Sequence, residues 1–350
     1  MSLFEKIGKL FWNGDEKRLR AMWRIGLHTG LLVILSAVFI VGILFLAVII
    51  DLIAGTNLQN VIEGSAPMQI LENPWVGTVI IPGATFMGVL IATFIVGKWV
   101  DRRKFTDFGL TNSKSWWFNF AFGLGLGAVL MVLIFLFGLA SGNIRVIGYF
   151  QTPNLNVSFL SGFIQSIIFF VFVGFYEEIL SRGYHLINLA EGFNHKIIGK
   201  RWALMLSFLI TSLIFGLLHI GNPNATWIST LNIALAGIFL GLGRVLTGSL
   251  AIPIGLHITW NLFQGSVFGF PVSGVKIGAT LIATDLSGPV WLTGGPFGPE
   301  AGLMGLAAIL VGSILTLLWI RRSDRLSLRI ELADFYQAST GESETNSAQN

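Results

Sequence analysis

Three short motifs place acid, base and amide groups inside otherwise apolar stretches: Glu177-Glu178-x-x-x-Arg182, Phe215-x-x-x-His219 and His257-x-x-x-Asn261. Within a membrane an ionisable group costs at least a few kcal/mol, so each needs a partner, a water-filled cavity or a function. Arg182 follows Glu178 at i,i+4 spacing, on the same helical face and within ion-pair reach. That pair reads equally well as a structural brace between helices and as part of a catalytic site. Glu177 points about 100° around the helix from Glu178. Arg182 cannot easily satisfy both carboxylates, which leaves Glu177 free for proton chemistry. His257 and Asn261 put an imidazole and a carboxamide on one face of an apolar helix. His28 and His185 read as satisfied or interfacial residues, and His195 as a loop residue.

The elements that must position these groups are membrane spans. The 350 residues are 53% hydrophobic and only 11% charged, whereas an ordinary soluble domain is about a quarter charged. The mean hydropathy of +0.75 points the same way. This composition excludes intrinsic disorder, a coiled coil and a secreted disulfide scaffold. With no cysteine there is no disulfide, no Cys-zinc or iron–sulfur site and no thiol nucleophile. Apolar stretches of about 20 residues predict eight spans: Ile25–Ile50, Val76–Val100 with a kink at Pro82, Trp116–Ala140, one from Phe159, Ala203–Ile220, Trp227–Gly243, Leu250–Phe270 and Ala301–Ile320. The expected fold class is therefore all-α, a polytopic membrane protein of about eight transmembrane helices. Of the 18 acidic residues, only Glu177 and Glu178 fall inside a predicted span.

Basic residues orient the chain. They precede the first span (Lys6 to Arg24), separate the second from the third (Lys98 to Lys114), and follow the fourth (Lys196, Lys200, Arg201). Arg244 follows the sixth span, and Arg321, Arg322, Arg325 and Arg329 follow the eighth. Only Arg145 and Lys276 fall on the other side, with Arg182 left within the membrane. The positive-inside rule then predicts a multi-pass cell-membrane protein with both termini cytoplasmic. The pI of about 9.5 is a topology signal, not a footprint for nucleic acid, which is not expected as a partner. Residues 1–24 form a cytoplasmic interfacial segment, 25–320 the membrane domain, and 321–350 a cytoplasmic tail, disordered beyond about Tyr336. Within 1–24, residues 2–12 have the spacing of a helix lying on the inner leaflet. No cleavable signal peptide is expected.

Depth arithmetic tests whether the motifs can meet. Glu177 and His219 are symmetric about residue 198, in the basic turn. Antiparallel helices joined there would bring both to the same level, about 30 Å from the turn. His257 and Asn261 lie about 20–25 Å beyond Arg244 along a helix. The levels agree within one to two turns if the fourth and fifth helices extend past the cytoplasmic surface. In that order on successive hydrophobic helices, the three motifs resemble the CPBP family, the CAAX proteases and bacteriocin-processing enzymes also called Abi. The resemblance covers about residues 100–270, and every motif position is filled.

The resemblance implies a CAAX-protease-like bundle and an intramembrane endopeptidase, with Glu177 and His219 activating water. Glu177 would be the general base. His257 and Asn261 would donate to the oxyanion, while Glu178 and Arg182 would brace the site. The substrate would be a membrane-associated or leader peptide in the lipid bilayer. The family is described as metalloprotease-like, and a metal-independent glutamate mechanism is also argued for it; zinc is the metal to consider here. Glu177, His219 and His257 are ligand types suited to zinc, but the chain has no HExxH helix, so the metal stays open. Two other readings fit the same residues: a secondary transporter with Glu and His near the midplane, and a catalytically silent scaffold of the family that binds a membrane partner. Oligomeric state is not legible. Gly123, Gly125 and Gly127, and Gly237 with Gly241, read as close helix packing. Pro253 reads as a weak point in the helix before His257.

Overall fold

The computed structural model describes residues 8–14, 16–53, 55, 59, 72–152, 157–323 and 326–335. The segment expected to form an interfacial helix at 2–12 is described only from Gly8, and the tail from Tyr336 onward lies outside the described residues. Among the described residues, seven helices are long and apolar enough to cross a membrane. The chain is a multi-spanning membrane protein. Its helices are α1 (Ala21–Ile53), α2 (Ile81–Trp99), α3 (Lys114–Ala140), α4 (Phe159–Glu178), α5 (Leu186–Phe193), α6 (Gly199–Leu218), α7 (Trp227–Thr247), α8 (Ala251–Leu262) and α9 (Leu303–Ser323). A π-helical stretch, Ile179–His185, joins α4 to α5 without a break, making one rod of 35 residues.

The expected seventh span differs most from the sequence reading. It is 12 residues of α-helix, α8, followed by a 5-residue π-helical stretch, Phe263–Val267. That is shorter than the roughly 20 residues needed to span a bilayer. Every residue from Ala251 to Asn261 is buried. A helix with every side chain buried is enclosed by other elements, and α8 packs against α3, α4 and α7. Pro253 sits in its first turn, where the backbone N–H has no intrahelical partner, so it begins the helix and does not open it. Pro82 likewise sits in the first turn of α2, just after the π-helical turn Val76–Ile80.

Glycine lets α3 approach α8. A Cβ at Gly123 would lie 2.5 Å from the Ile252 carbonyl oxygen, and one at Gly127 would lie 2.5 Å from that of Leu256. Gly125, between them, faces open space. The Thr259 hydroxyl donates across this contact to the Leu124 carbonyl at 2.7 Å. Close backbone approach through small residues is how membrane helices gain dispersion contact where lipid offers no hydrophobic drive.

The two ends of the bundle have different chemistry. At one end Arg24 pairs with Asp101 at 2.9 Å, while Arg18, Arg24 and Arg103 converge on Glu191. Arg103 also donates to the Asp334 carbonyl at 3.1 Å, tying the C-terminal segment to the same knot. Burial raises the Asp101 carboxyl above its ordinary value despite Arg24. Arg244 is buried too, and donates to the carbonyls of Arg182, Asp107 and Gly248. These arginines, counted from sequence as loop charges, are therefore internal ties. Glu191 is a buried acid that the 20-residue span length hid, because the rod α4–α5 runs on past it.

The other end carries a cap. Strands β3 (Ile144–Gln151) and β4 (Thr280–Leu286) pair antiparallel, with Ile144 opposite Leu286 and Gln151 opposite Thr280. A smaller hairpin, β1 (Trp12–Asn13) with β2 (Arg18–Leu19), lies at the basic end. The helical architecture expected from sequence thus gains two small sheets. The Gly- and Pro-rich 271–300 connection is a folded cap containing β4 and several single helical turns.

Candidate functional site

The rod α4–α5 supplies both glutamates and the arginine. Glu178, the last residue of α4, is fully buried, and Arg182 reaches back across the π-helical stretch. Arg182 Nη1 donates to Glu178 Oε1 at 2.9 Å, and its Nη2 donates to the Gly237 carbonyl on α7 at 3.0 Å. The guanidinium also lies over the Phe215 ring, 4.2 Å from its centroid. Phe215 was visible in the sequence only as a motif position. In the fold it is the plate between Arg182 and the two histidines, 4.9 Å from the His219 ring and 6.1 Å from the His257 ring.

His257, on α8, bridges the two carboxylates. Its Nδ1 lies 2.8 Å from Glu178 Oε1, the same oxygen that accepts from Arg182. A carboxylate only accepts, so Nδ1 carries the proton. The other nitrogen, Nε2, lies 3.8 Å from Glu177 Oε2. Glu177 itself is 22% exposed, and among the described residues its ion-pair contact is this longer one to His257, against 2.9 Å between Glu178 and Arg182. The i,i+1 offset between the glutamates does what the helical arithmetic requires: one carboxylate is committed to Arg182 and the other is presented to open space.

That space is a cavity of about 440 Å³. Glu177, His219, His257 and Asn261 all line it, while Glu178 and Arg182 stand behind. The rest of its wall is mainly apolar, including Phe170, Phe239, Leu240 and Trp260. His219 caps the C-terminus of α6, which ends where Gly221 and Pro223 follow. His219 Nδ1 donates to the Phe215 carbonyl at 2.7 Å, leaving Nε2 as the acceptor. His28 is satisfied as read from sequence, 3.0 Å from the Thr93 hydroxyl and stacked on Tyr184. His185 lies 3.4 Å from the Thr29 hydroxyl and also borders the cavity.

Sequence reasoning missed Glu300. It precedes α9 in the cap, is 3% exposed, and borders the same cavity. Its Oε1 accepts from the Ser273 backbone N–H at 3.0 Å and from the Ser273 hydroxyl at 3.1 Å, and its Oε2 accepts from Gln264 Nε2. Burial pushes its carboxyl up to about 7, against the pull of those bonds. Gly, Pro and turn residues around it gave no sign that this loop folds inward.

Among the described residues no three His, Asp or Glu side chains converge on one point. Of the three zinc-type candidates, His257 and His219 each commit Nδ1 to a protein acceptor, Glu178 and the Phe215 carbonyl respectively.

Residues 159–263 match the family described as Rce1-like, Type II CAAX prenyl endopeptidase Rce1-like. No curated protein and no solved structure matches the chain. The matched stretch begins with α4 and ends just after α8, so it contains all three motifs and the helices that bring them together. It is narrower than the 100–270 resemblance read from the motifs, and omits α3. Residues 159–263 of this multi-spanning membrane protein are thus similar to the CAAX-protease/Abi superfamily.

Proposed function

We propose that the protein is an intramembrane endopeptidase of CPBP type that hydrolyses a peptide bond of a membrane-borne peptide. The observation that carries the reading is His257 held between Glu178 and Glu177, with Glu177 on the cavity wall and Glu178 locked to Arg182. Water in the cavity has two acceptors available, the Glu177 carboxylate and His219 Nε2. Donating one proton to each leaves an oxygen lone pair for attack on the peptide carbonyl. Glu177 takes the proton as the C–O bond forms, then passes it to the departing amine as the C–N bond breaks. With both nitrogens protonated, His257 balances the buried set of two carboxylates and one guanidinium. Its Nε2–H and the Asn261 carboxamide then donate to the oxyanion. Glu178 and Arg182 orient His257 from behind the cavity wall, and Phe215 packs between them and the cavity that it also lines.

The apolar wall suits a hydrophobic peptide segment. Leu218 and Ile214 line the cavity and are 70% and 39% exposed, so the cavity meets the lipid-facing surface along α6. A substrate could enter from the bilayer. The excess of basic residues at one end supports a topology with that end, and both termini, in the cytoplasm.

The test is cleavage of a membrane peptide by purified protein in detergent, with and without chelator. Glu177→Gln keeps shape and hydrogen bonding, so the protein should fold and bind peptide while activity falls by about 100- to 10,000-fold. His219→Ala should be comparably severe, and Asn261→Ala milder, at about 100-fold for one of two donors. Cleavage that survives in Glu177→Gln ends this mechanism. Activity lost to chelator and restored by zinc would turn Glu177, His219 and His257 into ligands.

A further inference from the structure

The cavity's outer wall is a separate segment of chain. Val272, Ser273, Val275 and Ile277 all line it, and a bridge between Val272 and Val275 folds them into a tight loop. Three elements hold that loop. Asn222, beyond α6, donates to the Ser273 carbonyl at 3.0 Å. Gln264, in the π-helical stretch after α8, donates to the Pro271 carbonyl at 2.6 Å and to Glu300. Glu300, at the foot of α9, accepts from both the backbone and the hydroxyl of Ser273.

We propose that Glu300 is a positioning residue for substrate binding: by joining Gln264 to Ser273 it pins the loop from Val272 to Ile277 as the wall against which the peptide lies. A carboxylate suits this place. Ionised, it accepts from three donors at once, whereas an amide there must set its own N–H₂ either against that of Gln264 or against the Ser273 N–H. Turning the Gln264 amide over to relieve the clash would take its donor away from the Pro271 carbonyl. Either way the link from α8 to the loop is lost, although volume is unchanged. Gln264 lies on the helix that carries His257 and Asn261, so the same link fixes the wall's distance from the reacting groups.

The kinetic half of this proposal rests on the reading of the site as a peptidase; the structural half does not, and two measurements separate them. Because the chain has no cysteine, Val272→Cys gives a single reporter on a side chain that is 7% exposed. Its labelling by a maleimide in detergent is referred to Val290→Cys, at a position that is 62% exposed, so that thiol reactivity cancels. In a Glu300→Gln background the Val272→Cys rate should rise about five- to tenfold, as a loosened wall opens locally. Ser273→Ala, which removes one bond and keeps the backbone bond, should give a smaller rise, and serves if Glu300→Gln does not fold. Relative rates unchanged in both backgrounds overturn the pinned wall. With peptide substrate, Glu300→Gln should raise KM about tenfold while kcat stays within about threefold, the split expected when binding and not chemistry is lost. A fall in kcat at constant KM would instead place Glu300 among the reacting groups and overturn the positioning role. A wild-type protein that cleaves no peptide defeats the peptidase reading, and leaves the labelling result to decide the wall.

Discussion

Arg182→Ala is the perturbation whose cost the structure defines most fully. The guanidinium is 1% exposed and makes three contacts: Glu178 at 2.9 Å, the Gly237 carbonyl at 3.0 Å, and the Phe215 ring at 4.2 Å from its centroid. Removing one partner of a buried ion pair costs about 3–5 kcal/mol, because the other charge stays buried and uncompensated. The orphaned Gly237 carbonyl and the lost stacking act on the same site, so they are not simply additive to that figure. If unfolding entropy scales with the 350-residue length, this corresponds to a melting temperature lowered by about 4–7 °C. Thermal unfolding in detergent, followed by the fluorescence of the chain's 11 tryptophans, measures it directly. The double variant Glu178→Gln with Arg182→Met separates charge from contact. It removes both charges and keeps an acceptor for His257 Nδ1, so it should recover most of the lost stability. It should not recover activity, because His257 no longer has a carboxylate to hold it. An Arg182→Ala protein as stable as wild type, or a double variant less stable than the single, would refute the argument that Glu178 needs its partner.

Two further outcomes follow from packing and from burial. Gly127→Val forces a side chain into the Leu256 carbonyl on α8, at a cost of about 1–3 kcal/mol or more, and should lower both melting temperature and activity; Gly125→Val, facing open space, should change neither. A Gly127→Val protein indistinguishable from Gly125→Val in the same melting assay would mean that α3 does not pack on α8 as described. Glu300, raised from an ordinary 4.5 to about 7, contributes stability that is fully present below about pH 4.5 and is lost as pH rises through 7. At about 1.4 kcal/mol per pH unit that is about 3 kcal/mol between pH 4.5 and pH 8.5, so the stability of wild type relative to Glu300→Gln should fall by that amount. A difference that does not change with pH would show that Glu300 is not buried as an acid.

Much of the site was legible because its arithmetic is local. The i,i+4 spacing of Glu178 and Arg182 predicts their pair, the i,i+1 offset frees Glu177, and symmetry about residue 198 sets Glu177 level with His219. Each of these depends on helical geometry alone, and the rod from Phe159 to Phe193 supplies the length that the depth arithmetic needed. What could not be read depends on tertiary contact. Glu191 and Arg18 lie in stretches that look like ordinary charged loop flanks, and only the fold shows them buried against each other. Glu300 lies among Gly and Pro residues whose turns carry no periodicity, so nothing local reveals that the loop folds over a cavity. Arg244 matched a topology rule as a loop charge, yet the guanidinium satisfies three carbonyls inside the protein. Composition reports which groups are polar; it does not report which of them the chain will enclose.

The same limit explains why α8 is shorter than the apolar run that predicts a seventh span. A span is recognised by apolar length because lipid tolerates no unsatisfied backbone. α8 escapes that requirement: surrounded by α3, α4 and α7, it never meets lipid, and it can stop short and widen into a π-helical stretch. Enclosure also lets one stripe of the helix be polar. His257, Asn261 and Gln264 recur at helical spacing along it, the first held by Glu178, the second on the cavity wall, the third joined to Glu300. On a lipid-facing helix each would carry the penalty of an exposed polar group in hydrocarbon. Here each has a partner or a cavity, and the stripe runs from the buried ion pair to the outer wall. The short, fully buried helix is thus the element that lets polar side chains sit in the core of an apolar bundle, and its glycine contacts with α3 fix where those side chains are held.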